Sequence, residues 1–270
     1  MRIPGLTRWL AAGMFVAQAS VAAAQNDTPL QTLPEPRVEA SKASTQGDDI
    51  LTRPAWKALF TDTLVDFKNF PSRETAWWLT AGTAAAVASH PADTSVGRSL
   101  SSSPLLHETT ESGAWLGSTP FQLGAAAATY FIGRATDSAR VASVGADLVR
   151  GQIIAETLTY AMKQSFQRER PDGSGYSFPS GHASATFTSA TVLQQHFGWK
   201  VGIPAYAVAS YVAVSRVQER KHYLSDVAFG AALGIAAGRT VTIGHRHRLM
   251  LEATPTPGGA ALSFTLNPKK

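Results

Sequence analysis

The chain has 270 residues, 44% hydrophobic and 16% charged, an apolar-leaning composition with fewer charges than the usual quarter. Its net charge of +5, from 24 basic and 19 acidic residues, is mild; with no dense Lys/Arg block it argues against nucleic acid and suits anionic small molecules or an anionic membrane surface. Cysteine is absent, which excludes disulfides, a lipoprotein anchor thiol and thiolate metal sites.

The first 24 residues read as a signal peptide. Arg2 and Arg8 supply a basic start, Trp9 to Val21 an apolar stretch, and Ala22-Ala23-Ala24 a small-residue cleavage site. Thirteen apolar residues are short for a membrane span, which needs about 20. Export to a bacterial periplasm is therefore expected, with association with the inner membrane, or insertion into it, left open. Residues 25–53 are polar and proline-containing and read as a flexible leader.

Helical patterning begins at Pro54. Trp56, Leu59, Phe60, Leu64 and Phe67 recur at three- and four-residue steps and define one apolar face, and Pro71 ends the segment. "TAWWLTAGTAAAVASH" predicts a second helix and "PADTSVGRSLSSSP" a loop. "SGAWLGSTPFQLGAAAATYFIG" is a third apolar stretch, broken or kinked at Pro120. "ARVASVGADLVRGQIIAETLTYAMKQSF" predicts one or two helices, and three further stretches complete a bundle of about six or seven, rich in Ala and Gly and so closely packed. The expected class is all-α, a helical domain over 54–245, followed by a tail at 246–270 whose alternating "RLMLEAT" and "AALSFTL" around "PTPGG" predict a β-hairpin. Thr75–Ala92 and Ser112–Gly133 lack Asp, Glu, Lys and Arg and could span a membrane, yet their Ser, Thr, Gln, His and Pro favour a soluble or peripheral domain.

Three segments carry chemistry. In "SFPSGHASATF", Ser180 is a good N-cap and Gly181 allows close approach to the backbone. The free amides of such a helix start bind anions, and His182 stands beside them, able to exchange a proton. In "KQSFQRERP", Lys163 and Arg170 are seven apart, two helical turns, so one face would carry both cations before Pro171 stops the helix. In "SRVQERKHYLSD", His222 and Asp226 are four apart, so the carboxylate can reach the ring and fix its tautomer. Arg216 shares no helix face with His222, and a turn through "QERK" would be needed to fold it back. Together these residues make a site for a phosphoryl group with no metal required. One histidine attacks phosphorus, the other protonates the departing oxygen, and the cations neutralise the transition state.

The pattern Lys-x6-Arg-Pro, Pro-Ser-Gly-His, Ser-Arg-x5-His-x3-Asp over residues 163–226 resembles the signature of the phosphatidic acid phosphatase type 2 superfamily. That superfamily also holds bacterial acid phosphatases and vanadium haloperoxidases. The resemblance implies a helical bundle, His222 as the nucleophile that forms a phosphohistidine, Asp226 as its orienting partner, and His182 as general acid. It implies Lys163, Arg170, Arg216, the Ser180 hydroxyl and the Gly181 amide as phosphate ligands, no cofactor, and a phosphorylated small molecule or lipid as substrate. The charged "QERK" departs from the small or apolar residues usual before the third-segment histidine, which leaves the substrate open. A vanadate-dependent haloperoxidase and a non-catalytic phosphate-binding envelope protein are the rival readings. Elsewhere, "HETTE" at 107–111 lacks the second histidine of a metal helix, His245 and His247 read as a basic surface patch, and Trp77 and Trp78 as core residues.

Overall fold

The computed structural model describes residues 54–103, 112–243, 250–256 and 259–265. The expected signal peptide, the leader, the "HETTE" stretch and the "GHRHR" histidines lie outside the described residues. The chain folds as α1 (Trp56–Asn69), α2 (Arg73–Ser89), a short 3-10 turn (His90–Ala92), α3 (Asp93–Ser101), α4 (Thr119–Ala135), α5 (Ala139–Phe166), α6 (Gly181–Phe197), α7 (Trp199–Gln218) and α8 (Leu224–Ile243). The tail forms β1 (Met250–Thr256) and β2 (Gly259–Thr265), paired antiparallel with Met250 opposite Thr265 and Thr256 opposite Gly259.

Side-chain chemistry sets the helix starts. Ser72, Ser118, Ser138 and Ser180 each accept a hydrogen bond from the backbone amide three residues on, satisfying one of the free donors of α2, α4, α5 and α6. Pro120 lies in the first turn of α4, where its missing N–H costs nothing, so the expected break falls before it. The expected loop at 91–104 is instead largely helix: α3 begins at Asp93, in a serine-rich stretch whose polarity concealed it. The long apolar stretch ending at Phe166 is one 28-residue helix.

The α6–α8 pair is the centre of the bundle, with α2, α5 and α7 packed around it. Gly230, Gly234 and Gly238 recur at four-residue steps along α8 and bring it against α6. A Cβ at Gly230 would lie 2.6 Å from the Ser180 carbonyl oxygen, and one at Gly234 would collide with the Ser184 carbonyl. Ile154, Val192, Leu233 and Val241 fill the core between the helices.

Only part of the apolar face expected for α1 is buried: Phe67 packs on the core. The helix buries Thr63 and Asp66 and turns Trp56, Phe60 and Leu64 outward, with relative exposures of 59, 69 and 65%. The reason is an ion pair: the Asp66 carboxylate accepts from Arg150 Nη1 at 2.8 Å in the interior, and Arg150 also pairs with Asp147. A buried charge must be met by its partner, so this pair sets the rotation of α1. Trp78 packs on the core as expected, while its neighbour Trp77 is 69% exposed.

Asp66→Ala should lower the unfolding free energy by about 1–3 kcal/mol, by removing one of the two carboxylates that the buried Arg150 meets, read by denaturant titration. Gly230→Ala should cost about 1–3 kcal/mol and lower turnover as well, because the clash is with backbone at the start of α6; an alanine variant with unchanged melting and rate would contradict the close contact.

Candidate active site

Five segments meet at one end of the bundle: the last turn of α5, the loop 167–178, the start of α6, the end of α7 and the start of α8. Helix α5 stops earlier than its sequence suggests, because Gln167 adopts a left-handed conformation with φ of 47°. Arg170 therefore lies on a loop and not on the helix face of Lys163. The loop folds back on itself through Arg170 N to Gly175 O at 3.0 Å and Ser177 N to Arg168 O at 2.7 Å. Lys163 Nζ donates to the carbonyls of Tyr176 and Ser177 at 3.0 and 3.4 Å, and Arg170 Nε donates to Tyr176 O at 3.2 Å. The two cations thus converge on one strip of backbone.

Arg216 reaches the site through the turn foreseen at "QERK". Arg220 takes a positive φ of 57°, and the amides of Lys221 and His222 both donate to the Arg216 carbonyl, at 3.0 and 3.2 Å. The charged residues of this turn are occupied: Lys221 pairs with Asp172 at 2.5 Å and Arg220 donates to Pro171 O at 3.2 Å, fastening the turn to the loop 167–178.

His222 is 3% exposed and precedes α8. Its Nδ1 lies 2.7 Å from the Ser177 carbonyl oxygen, which can only accept, so Nδ1 carries the proton and Nε2 the lone pair. This differs from the expected direct bond to Asp226. The carboxylate is 3.8 Å from Nδ1, because one of its oxygens accepts from Tyr223 N at 2.8 Å and the other from Arg168 Nη1 at 2.7 Å. Asp226 fixes the turn that holds His222 and stands near the ring as a charge. Its own carbonyl accepts from Ser180 N at 3.1 Å, which ties the two histidine-bearing elements together.

His182 lies in the first turn of α6 with Nε2 3.0 Å from the Ala114 carbonyl oxygen. Gly117 makes room for it, since a Cβ there would come within 2.9 Å of the His182 side chain. At Gly181 a Cβ would meet, among the described residues, only Thr159 Cγ2, at 3.5 Å, so that side of the helix start is uncrowded. Burial and then Arg216 push the His182 pKa down to about 4. Burial also lowers that of His222, with Asp226 opposing and Lys163 and Arg170 reinforcing. Burial and Arg170 bring Lys163 down to about 8. Arg170 acts on all three groups, Lys163 on His222, and Arg216 on His182. Two buried donors at the site, Arg216 Nε and Ser177 Oγ, find no hydrogen-bond partner among the described residues. A buried donor left so costs about 1–3 kcal/mol.

Residues 156–249 match the model of the PAP2 superfamily. The likeness is to that segment of the chain. Within it lie Lys163, Arg170, Ser180, Gly181, His182, Arg216, His222 and Asp226. Over 92 residues the chain is 38% identical to a lipid A 1-phosphatase of Porphyromonas gingivalis, covering 33% of this chain and 21% of that protein. Over 102 residues it is 34% identical to a decaprenylphosphoryl-5-phosphoribose phosphatase of Mycobacterium tuberculosis, covering 34% and 55% respectively. The chain thus spans between a fifth and about half the length of these relatives. A solved structure, a transmembrane PAP2 type phosphatidylglycerolphosphate phosphatase from Bacillus subtilis, aligns over 73% of this chain and 97% of its own at 22% identity and a TM-score of 0.47.

Sequence reasoning passed over Arg168 and Asp93. Arg168 sits two residues before the motif arginine, and Asp93 lies outside the PAP2 segment, in the stretch read as loop. Only the fold brings them beside Asp226.

The lowered pKa of His182 has a consequence for stability. The folded value of about 4 lies below the ordinary 6.5, so between them the unfolded chain binds a proton that the folded protein does not. Stability is complete above pH 6.5 and is lost as pH falls towards 4. The melting temperature should drop between about pH 7.5 and about pH 4.5, and His182→Gln should reduce that slope; identical slopes would show that the ring is not held neutral.

Proposed function

We propose that this chain is a metal-independent phosphatase that hydrolyses phosphomonoesters or pyrophosphates of lipids through a phosphohistidine. The observation that carries the reading is the commitment of His222 Nδ1 to Ser177 O, which leaves the Nε2 lone pair as the ring's nucleophile beside Lys163, Arg170 and Arg216. In the first step Nε2 attacks phosphorus and the bond from phosphorus to the leaving oxygen breaks. That oxygen takes the proton of His182. The three cations, with the Ser180 hydroxyl and the Gly181 amide, hold the equatorial oxygens. In the second step water attacks phosphorus, the P–N bond breaks, neutral His182 takes the proton of the water, and inorganic phosphate departs. Burial is the main cause of the low His182 pKa and the nearby cations add to it; a bound phosphate offsets the part due to the cations, which favours the protonated acid.

A lipid substrate is supported by the exterior. Trp56, Phe60, Trp77, Phe131, Trp199 and Ile203 are each more than half exposed, an apolar surface that suits contact with a membrane. The two relatives described above are lipid A and decaprenylphosphoryl-phosphoribose phosphatases. Among the described residues α8 alone is long and apolar enough to cross a bilayer, and 67% of its apolar window is buried in the bundle. The basic and apolar start of the sequence supports export to the periplasm.

Purified protein in EDTA should release phosphate from dioctanoyl phosphatidic acid in detergent. His222→Ala should abolish release, by about a thousandfold or more, and labelled substrate should trap an acid-labile phosphoenzyme only where His222 is present. His182→Ala should cost about a hundredfold on this lipid and much less on an activated aryl phosphate, which leaves without protonation. A His222→Ala enzyme at wild-type rate would overturn the mechanism, and release from aryl phosphate alone would overturn the lipid assignment.

A further inference from the structure

Asp93, at the start of α3, is 4% exposed and belongs to no motif. Its Oδ1 accepts from Ser225 N at 2.9 Å, and its Oδ2 accepts from Ser225 Oγ at 2.7 Å and from Arg168 Nη2 at 2.8 Å. His90, largely exposed, sets Nδ1 2.9 Å from the same oxygen. Arg168 reaches on from there: Nη1 donates to Asp226 Oδ1 at 2.7 Å and to Ser225 Oγ at 2.8 Å, and the guanidinium lies over the Tyr223 ring at 4.1 Å. The other Asp226 oxygen stands 3.8 Å from His222 Nδ1. The charges therefore run in a line, carboxylate, guanidinium, carboxylate, imidazole.

The order matters for a histidine that becomes cationic. Attack by Nε2 leaves the phosphorylated ring with a positive charge and its Nδ1 proton in place. A carboxylate at that edge stabilises it. A lone arginine on Asp226 would cancel that help. A second carboxylate on the arginine restores it, since two negative charges share one positive and a net negative charge remains beside the ring. On the other side Lys163 and Arg170 oppose a cationic ring, while Arg216, which acts on His182, is itself paired with Glu219.

We propose that Asp93 is a positioning residue for the phosphatase reaction, neutralising Arg168 so that the negative charge of Asp226 stays available to His222. The inference rests on the reading of His222 as nucleophile and adds to it a charge supplied from outside the PAP2 segment. It also accounts for the placement of α3, whose first residue carries the last charge of the line.

The test compares wild type with Asp93→Asn, Arg168→Gln and the double variant. Release of phosphate from dioctanoyl phosphatidic acid is followed together with the titration of His222 by imidazole nitrogen NMR. Asp93→Asn leaves Arg168 uncompensated, so kcat should fall about thirtyfold with KM within about twofold, and the His222 pKa should fall. Removing both charges should restore kcat to at least about tenfold above Asp93→Asn and bring the His222 titration back towards wild type. A purely structural role predicts the opposite, a double variant no better than the single one. Unchanged titration in Asp93→Asn, or no recovery in the double variant, overturns the proposal. If Asp93→Asn does not fold, the double variant is set against wild type directly: kcat within about tenfold upholds charge balance, and a loss beyond about a hundredfold overturns it. The titration arm needs no turnover, so a wild-type protein that releases no phosphate would sink the phosphatase reading while charge balance at His222 was still decided.

Discussion

The contact on which the site depends is the seating of α8 against the first turn of α6. Gly230 lies where any side chain would strike the Ser180 carbonyl, and Ser180 N donates to the Asp226 carbonyl at 3.1 Å. One contact thus holds the anion-binding helix start, the His182 turn and the His222 loop in register. The tolerance for error there is small, because a displacement of about 1 Å in a reacting group can cost about a hundredfold in rate. Small residues at four-residue intervals are what allow two backbones to meet so closely, and here they serve the site as much as the core.

Electrostatics then shapes what the seated groups can do. Three cations and two imidazoles share a partly buried volume, and burial plus mutual repulsion lowers the proton affinity of His182, His222 and Lys163. Such an assembly is unfavourable by itself. In the proposed reaction a phosphoryl group would pair with Lys163 and Arg170, while Arg216 is already paired with Glu219. The acidic residues sit behind the histidine, where Asp226 and Asp93 share Arg168. Charge is thus positive on the side of Lys163 and Arg170 and negative at the Asp226 edge of His222. That polarity suits the phosphohistidine chemistry proposed above.

The distribution of apolar side chains follows from the same polar interior. Asp66 and Arg150 occupy the interior beside α1, while Phe67 packs on the core and Trp56 and Phe60 stay exposed.

Much of this was legible in the sequence. The helical class follows from apolar periodicity, and the helix start at Ser180 from its cap. The membership of Lys163, Arg170, His182, Arg216, His222 and Asp226 in one site follows from chemistry that only a phosphoryl group would explain at once, and the family resemblance adds the role of each. The tertiary structure decided what local spacing cannot encode. A spacing of seven from Lys163 to Arg170 implied a shared helix face, yet a left-handed Gln167 ends the helix between them. A spacing of four from His222 to Asp226 implied a direct bond, yet the ring is held by a carbonyl 45 residues away. Arg168 and Asp93 carried no signal, since a pairing across 75 residues leaves no trace in either neighbourhood. The sequence by itself determined the helical class and the motif residues from which a site could be proposed, because periodicity and residue chemistry are local. The fold decided which atom of each faces which partner, because buried polar groups find their partners across the whole chain.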